Sequence, residues 1–195
     1  NLPKKVAKKQ YHTRNIDTQK TLNMEQILVL LEASRNTPIH MQVLFNVLMG
    51  LRRREINGVK YSDIDYINRT LKVQRQLGKV IDTKKEDFAP NTFTKQEVRL
   101  KTPSSYRDLP IPDYVFEAIL EQRKIYERNR SRRGKQFLDS GYVCCSNYGK
   151  PRSKDFHWKY YKQLLQENSL PDIRWHDLRS TFCTILLKND FNPKA

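Results

Sequence analysis

Ile64-Asp65-Tyr66-Ile67-Asn68-Arg69-Thr70-Leu71-Lys72-Val73 is the stretch on which the fold turns. Two short runs rich in β-branched and aromatic residues flank a turn signal at Asn68-Arg69, so the segment reads as a hairpin of Ile64 to Ile67 and Leu71 to Val73. The residues before it have a helical character. Asn23 reads as an N-cap with Gln26 three positions on, and Ile27, Leu28, Leu30 and Leu31 form the apolar face that follows. A second helix after Pro38 buries Val43, Leu44, Val47 and Leu48 and is punctuated by Gly50, and a short helical stretch spans Arg53 to Val59.

After the hairpin, residues 82 to 96 are polar and contain Pro90, which predicts a long loop or insertion. Glu97 to Lys101 and Arg107 to Ile111 resume the extended pattern around Pro103-Ser104-Ser105, for a small antiparallel sheet of about three strands. Further on, Asp113 is expected to cap a helix burying Val115, Phe116, Ile119, Leu120 and Ile125, closed by the basic run Arg128 to Lys135. Ser153 is expected to cap a helix carrying Phe156, Tyr160, Leu164 and Leu165, and a last helix runs from about His176 to Lys188. Helices flanking a small antiparallel sheet make an α+β domain, mostly helical. Residues 1–20, with Lys4, Lys5, Lys8, Lys9 and Arg14 and no apolar periodicity, read as a basic interdomain linker ahead of a domain at 21–195.

With 195 residues and 37% hydrophobic content the chain supports one core. No window reaches the roughly 18 apolar residues of a membrane helix and the N-terminus lacks a signal-peptide stretch, so a soluble cytoplasmic protein without a membrane partner is expected. The three cysteines, Cys144, Cys145 and Cys183, have no Cys-x-x-Cys spacing, and the four histidines lack the paired spacings of metal helices. No metal or other cofactor is expected. Lys and Arg number 37 against 21 Asp and Glu, a formal charge of +16, which favours a polyanion as partner.

The chemistry is carried by Gly50-Leu51-Arg52-Arg53-Arg54-Glu55-Ile56, by Leu100-Lys101-Thr102 and by Trp175-His176-Asp177-Leu178-Arg179. Singly, each has a bland reading: Arg52 to Arg54 as a solvated helix start, His176 and Arg179 as a capping pair, Lys101 as a solvent-facing strand residue. Together they describe a phosphate site. Guanidiniums present planar bidentate donors to non-bridging oxygens, an imidazole adds a donor, and an ammonium supplies a proton. Fixed cations match the charge that builds up in phosphoryl transfer, and a lysine whose pKa is lowered by neighbouring cations suits protonation of a leaving oxygen.

In their order and context these segments resemble the tyrosine recombinase (phage-type integrase) family. Gly50-Leu51-Arg52-Arg53-Arg54-Glu55 is similar to its first arginine box, Lys101 with Arg107-Asp108-Leu109-Pro110 to its hairpin lysine, and His176-Asp177-Leu178-Arg179 to its second arginine box. Tyr61-Ser62-Asp63-Ile64-Asp65 looks like integrases of conjugative transposons and phages from Gram-positive bacteria. The resemblance implies the catalytic domain of that family, with Arg52, His176 and Arg179 on the scissile phosphate, Lys101 as general acid and Glu55 as a support behind them. Arg53, Arg54 and Arg174 are taken as DNA contacts.

It implies further that a tyrosine forms a 3′-phosphotyrosyl DNA intermediate and that strands are exchanged through a Holliday junction without ATP or metal. A homotetramer on double-stranded recombination sites, with possible accessory excision or DNA-bending proteins, is the implied assembly. All ten tyrosines precede Arg179, whereas the family nucleophile follows the second box, so the domain is expected to be cut short before its nucleophile and inactive alone. The rival readings are a type IB topoisomerase-like enzyme and a non-catalytic basic nucleic-acid-binding protein.

Overall fold

The structure, a computed structural model, describes residues 21–81, 93–100, 105–153 and 155–188. The expected linker at 1–20 and the hairpin lysine, Lys101, lie outside the described residues.

Helix α1 (Met24–Ser34) starts as its capping signal predicts: Asn23 Oδ1 accepts from Gln26 N at 2.9 Å while Gln26 Oε1 accepts from Asn23 N at 3.0 Å. Its buried stripe is Ile27, Leu30, Leu31 and Ser34, at helical spacing. Leu28, expected on that face, is 60% exposed, because it lies about a quarter-turn off the stripe.

Helix α2 (His40–Val47) is buried from Met41 to Val47 and forms the centre of the core, packed against α1 and against α3 (Arg53–Gly58), α4 (Asp113–Arg133) and α6 (Asp177–Lys188). Being apolar on nearly every side, it suits a core element that neighbours surround. The amide nitrogens of its two buried polar residues hold the surrounding pieces: Gln42 Nε2 donates to Asn57 Oδ1 at 2.7 Å and Asn46 Nδ2 donates to the Trp175 carbonyl at 3.0 Å.

The hairpin is present but shorter than the apolar pattern predicts. Strand β1 (Ile64–Asp65) pairs antiparallel with β2 (Thr70–Val73), which pairs in turn with β5 (Arg107–Pro110), Val73 opposite Arg107. Tyr66 and Ile67 belong to the turn, and Ile67 is 92% exposed. The cause is Asp65, whose Oδ1 accepts from both Ile67 N and Asn68 N at 2.9 Å and bends the chain two residues early.

A second, two-stranded sheet, β3 (Gln76–Ile81) with β4 (Phe93–Val98), corrects the reading of 82 to 96 as loop throughout. The extended segment expected from Glu97 therefore belongs to this separate ribbon, while β5 completes the three-stranded sheet. Lys60, Arg75 and Tyr142 all contact Glu97, and Arg75 also pairs with the buried Asp63, so charge pairs tie the ribbon to the body.

Two other expected caps fall elsewhere. Pro112 occupies the N-cap position of α4, with Asp113 as the first helical residue paired to Arg69, and Asp155 precedes α5 (Phe156–Glu167), to which Ser153 contributes only its carbonyl. Along α4 the buried stripe is Val115, Ile119 and Tyr126; Leu120 and Ile125 are exposed on its flanks and Phe116 is half-buried. Among the described residues no helix is long and apolar enough to cross a membrane.

Candidate active site

The loop from α2 to α3 depends on Gly50. Its φ of +61° is a left-handed value, and a Cβ there would lie 2.5 Å from Cδ1 of Phe182 on α6. A residue without a side chain therefore lets the chain reverse against α6. Leu51, fully buried, anchors the next position, and Arg52 follows in extended conformation as the N-cap of α3.

Glu55, at the third position of α3, is only 2% exposed and reaches back to the helix start. Its Oε2 accepts from Arg52 N at 2.9 Å and from Arg107 Nη2 at 3.0 Å, and its Oε1 accepts from Arg52 Nη1 at 2.9 Å and from Arg107 Nη1 at 3.4 Å. Burial alone pushes this carboxyl upward, but the hydrogen bonds from Arg107 and Arg52 outweigh it and hold the group below its ordinary value. The carboxylate is thus charged, and Arg52, with a half-exposed side chain, is steered by it into a cleft.

The facing wall comes from the approach to α6. Trp175 is buried edge-on to Tyr161, with ring centroids 5.1 Å apart, and tilted against the buried His157 at 4.3 Å. The Asn46 bond fixes its carbonyl. This rigid base leaves the next residue, His176, exposed on the cleft, and Arg179 N donates to the His176 carbonyl at 3.2 Å in the first turn that follows. Asp177 accepts from Arg174 N, Nε and Nη2 at 2.9 to 3.2 Å. These bonds from Arg174, against the opposing effect of burial, hold the Asp177 carboxyl below its usual range.

The cleft so formed, about 710 Å³, is lined by Arg52, Arg53, Arg54, Glu55 and His176 together with Gln76, Leu100, Ser105 and Trp175. Sequence segments from opposite ends of the domain therefore meet in it. Leu100 and Ser105, the described residues on either side of 101–104, both lie on its lining. Arg53 also approaches Asp155 at 3.7 Å, whereas Arg179, half-buried in the first turn of α6, is not among the residues that line the cleft. Arg174 turns its guanidinium toward Asp177. Guanidiniums and an imidazole outnumber the one buried carboxylate on the lining, a composition that suits an anion.

Arg107 was singled out by sequence only as part of Arg107-Asp108-Leu109-Pro110, and its bond to Glu55 has no local signal because 52 positions separate the two residues. The aromatic base of His157, Tyr161 and Trp175 is equally non-local; the one hint was a histidine amid the aromatics of α5. Among the described residues no group of three or more His, Cys, Asp or Glu side chains is placed to hold a metal ion.

The sequence pattern of the phage integrase family matches residues 20–195. A tyrosine recombinase XerC-like protein of Caldanaerobacter subterraneus subsp. tengcongensis is 28% identical over 177 residues, 89% of this chain and 45% of that protein. The transposase from transposon Tn916 of Enterococcus faecalis is 29% identical over 162 residues, 79% of this chain and 36% of that protein. The chain thus spans less than half the length of these relatives. Among solved structures, the Tn1549 transposon integrase in complex with a circular intermediate DNA superposes with a TM-score of 0.68 at 21% identity, covering 93% of this chain and 57% of that one. The lambda integrase catalytic core gives 0.53 at 16% identity, covering 88% of both. These structures share the fold described above.

Proposed function

The chain belongs to the phage integrase family, and on that premise we propose that it is the catalytic domain, residues 21–195, of a site-specific DNA recombinase of a mobile element, preceded by a linker at 1–20. In this reading Arg52, His176 and Arg179 grip the non-bridging oxygens of a scissile phosphate in double-stranded DNA. Lys101, next in the chain to the cleft-lining Leu100, delivers a proton to the departing oxygen. Arg53, Arg54 and Arg174 meet the DNA backbone nearby, where contacts position without specifying sequence.

The reaction is an ester exchange. A tyrosine oxygen bonds to phosphorus, the bond from phosphorus to the 5′ oxygen breaks, and the phenolic proton lost on one side is matched by the proton gained by the 5′ oxygen on the other. Fixed guanidiniums stabilise the charge that accumulates on the phosphoryl group. No tyrosine follows Arg179 within residues 180–195, so these 195 residues alone are expected to bind DNA without cleaving it. Exchange through a Holliday junction by four protomers, with accessory DNA-bending or excision proteins, completes the proposal for the whole enzyme.

The observation that carries this reading is the single cleft in which Arg52, Glu55 and His176 converge from both arginine boxes. Its test is Arg179→Ala in a protein extended past Ala195 to carry a nucleophilic tyrosine. An enzyme loses cleavage rate by orders of magnitude while DNA affinity drops by a small increment; a pure binder shows the increment alone, and that result would reject the proposal.

A further inference from the structure

Glu55 accepts all its described hydrogen bonds from two arginines, and each carboxylate oxygen takes one bond from each of them. The two arginines are held differently. Arg52 sits at a helix start with its side chain 53% exposed, and in this structure Glu55 is the carboxylate that orients it. Arg107 is 25% exposed and lies behind Glu55, off the lining of the cleft. Its backbone is paired to Val73 in the sheet, and its Nη1 also donates to the Ser105 carbonyl at 3.0 Å.

We propose that Arg107 is a positioning residue: through the buried Glu55 carboxylate it fixes where the Arg52 guanidinium stands in the cleft. This rests on the reading that Arg52 grips the scissile phosphate. A carboxylate bonded to one flexible partner follows that partner, whereas one bonded to a sheet-anchored guanidinium has a set place and plane. Charge acts in the same direction. One carboxylate shared by two guanidiniums leaves a net positive cluster, so Glu55 orients Arg52 without cancelling its attraction for a phosphoryl oxygen.

The test is a double-mutant cycle on the rate of covalent adduct formation, in the protein extended past Ala195 to carry its nucleophile. Arg107→Ala is expected to slow cleavage by about 10- to 100-fold, the scale of a misplaced reacting group. In an Arg52→Ala background the same change adds less than about 3-fold, because its route of action is already gone. Arg107→Lys, which keeps the charge but not the fork, falls between Arg107→Ala and the unchanged protein. Losses that multiply in full across the two backgrounds overturn the inference.

A second measurement separates this inference from the recombinase reading. Arginine side-chain NMR of residues 1–195 is expected to show slow rotation of the Arg52 guanidinium, becoming fast in Arg107→Ala, or in Arg107→Lys if the alanine variant does not fold. Unchanged Arg52 rotation in a folded variant overturns the inference; failure of the unchanged extended protein to form any adduct rejects the recombinase reading while leaving this NMR result to decide Arg107.

Discussion

Replacing Gly50 by alanine perturbs the loop from α2 to α3, which brings the first arginine box up against α6. Two costs are expected. The left-handed φ of +61° costs an L-residue about 1–2 kcal/mol, and a new Cβ at 2.5 and 2.8 Å from Cδ1 and Cε1 of Phe182 forces a packed ring to move, costing about 1–3 kcal/mol more. The total is about 2–5 kcal/mol. Gly141 isolates the first cost: its φ is +70°, and no atom lies within 4 Å of its added Cβ. Urea unfolding of the unchanged chain, Gly50→Ala and Gly141→Ala is expected to place Gly50→Ala about 1–3 kcal/mol below Gly141→Ala. Phe182→Ala in the Gly50→Ala background should remove most of that excess. Equal destabilisation by the two glycine changes would refute the close approach of the first box to α6.

The buried Glu55 makes a pH prediction. Its folded pKa is depressed, so its stabilisation is complete above the unfolded value of about 4.3 and lost as pH falls through the folded value. Glu55→Gln should therefore cost about 1–3 kcal/mol at pH 7, and the gap to the unchanged chain should close below about pH 4 in urea titrations; a gap independent of pH would contradict the ion-pair assignment. Arg54→Ala should weaken DNA binding uniformly across sequences and flatten the plot of log affinity against log salt by about 0.9, read by fluorescence anisotropy across a salt series. A changed sequence preference with an unchanged slope would contradict its assignment to the backbone.

Local signals read well in this chain because their causes are local. The Asn23 and Gln26 capping box and the buried stripe of α1 each lie within a few residues of sequence. The first arginine box is a short unit in which Glu55 reaches back to the helix start at Arg52, a local bond, whereas the close approach that Gly50 allows comes from Phe182 across the fold. The ribbon of β3 and β4 escaped notice, since Gln76-Leu77-Gly78-Lys79 offers little apolar alternation and charge pairs from Lys60 and Arg75 help bind it to the body. Arg107 was hidden for a related reason: a strand residue reaching a helix carboxylate across the fold leaves no periodic trace. The misplaced caps at Asp113 and Ser153 show the reverse case, in which residues with capping propensity stand near a helix start while Pro112 and Asp155 take the position.

The most direct measurement uses a nicked suicide DNA substrate bearing the recombination site and the protein extended past Ala195, with a search for a DNA adduct that survives denaturation. A tyrosine-linked adduct that disappears on Arg52→Ala or Arg179→Ala is the expected result, and it establishes that the cleft holds the scissile phosphate. Tight binding of cognate DNA with no adduct, or an adduct indifferent to both substitutions, contradicts that assignment.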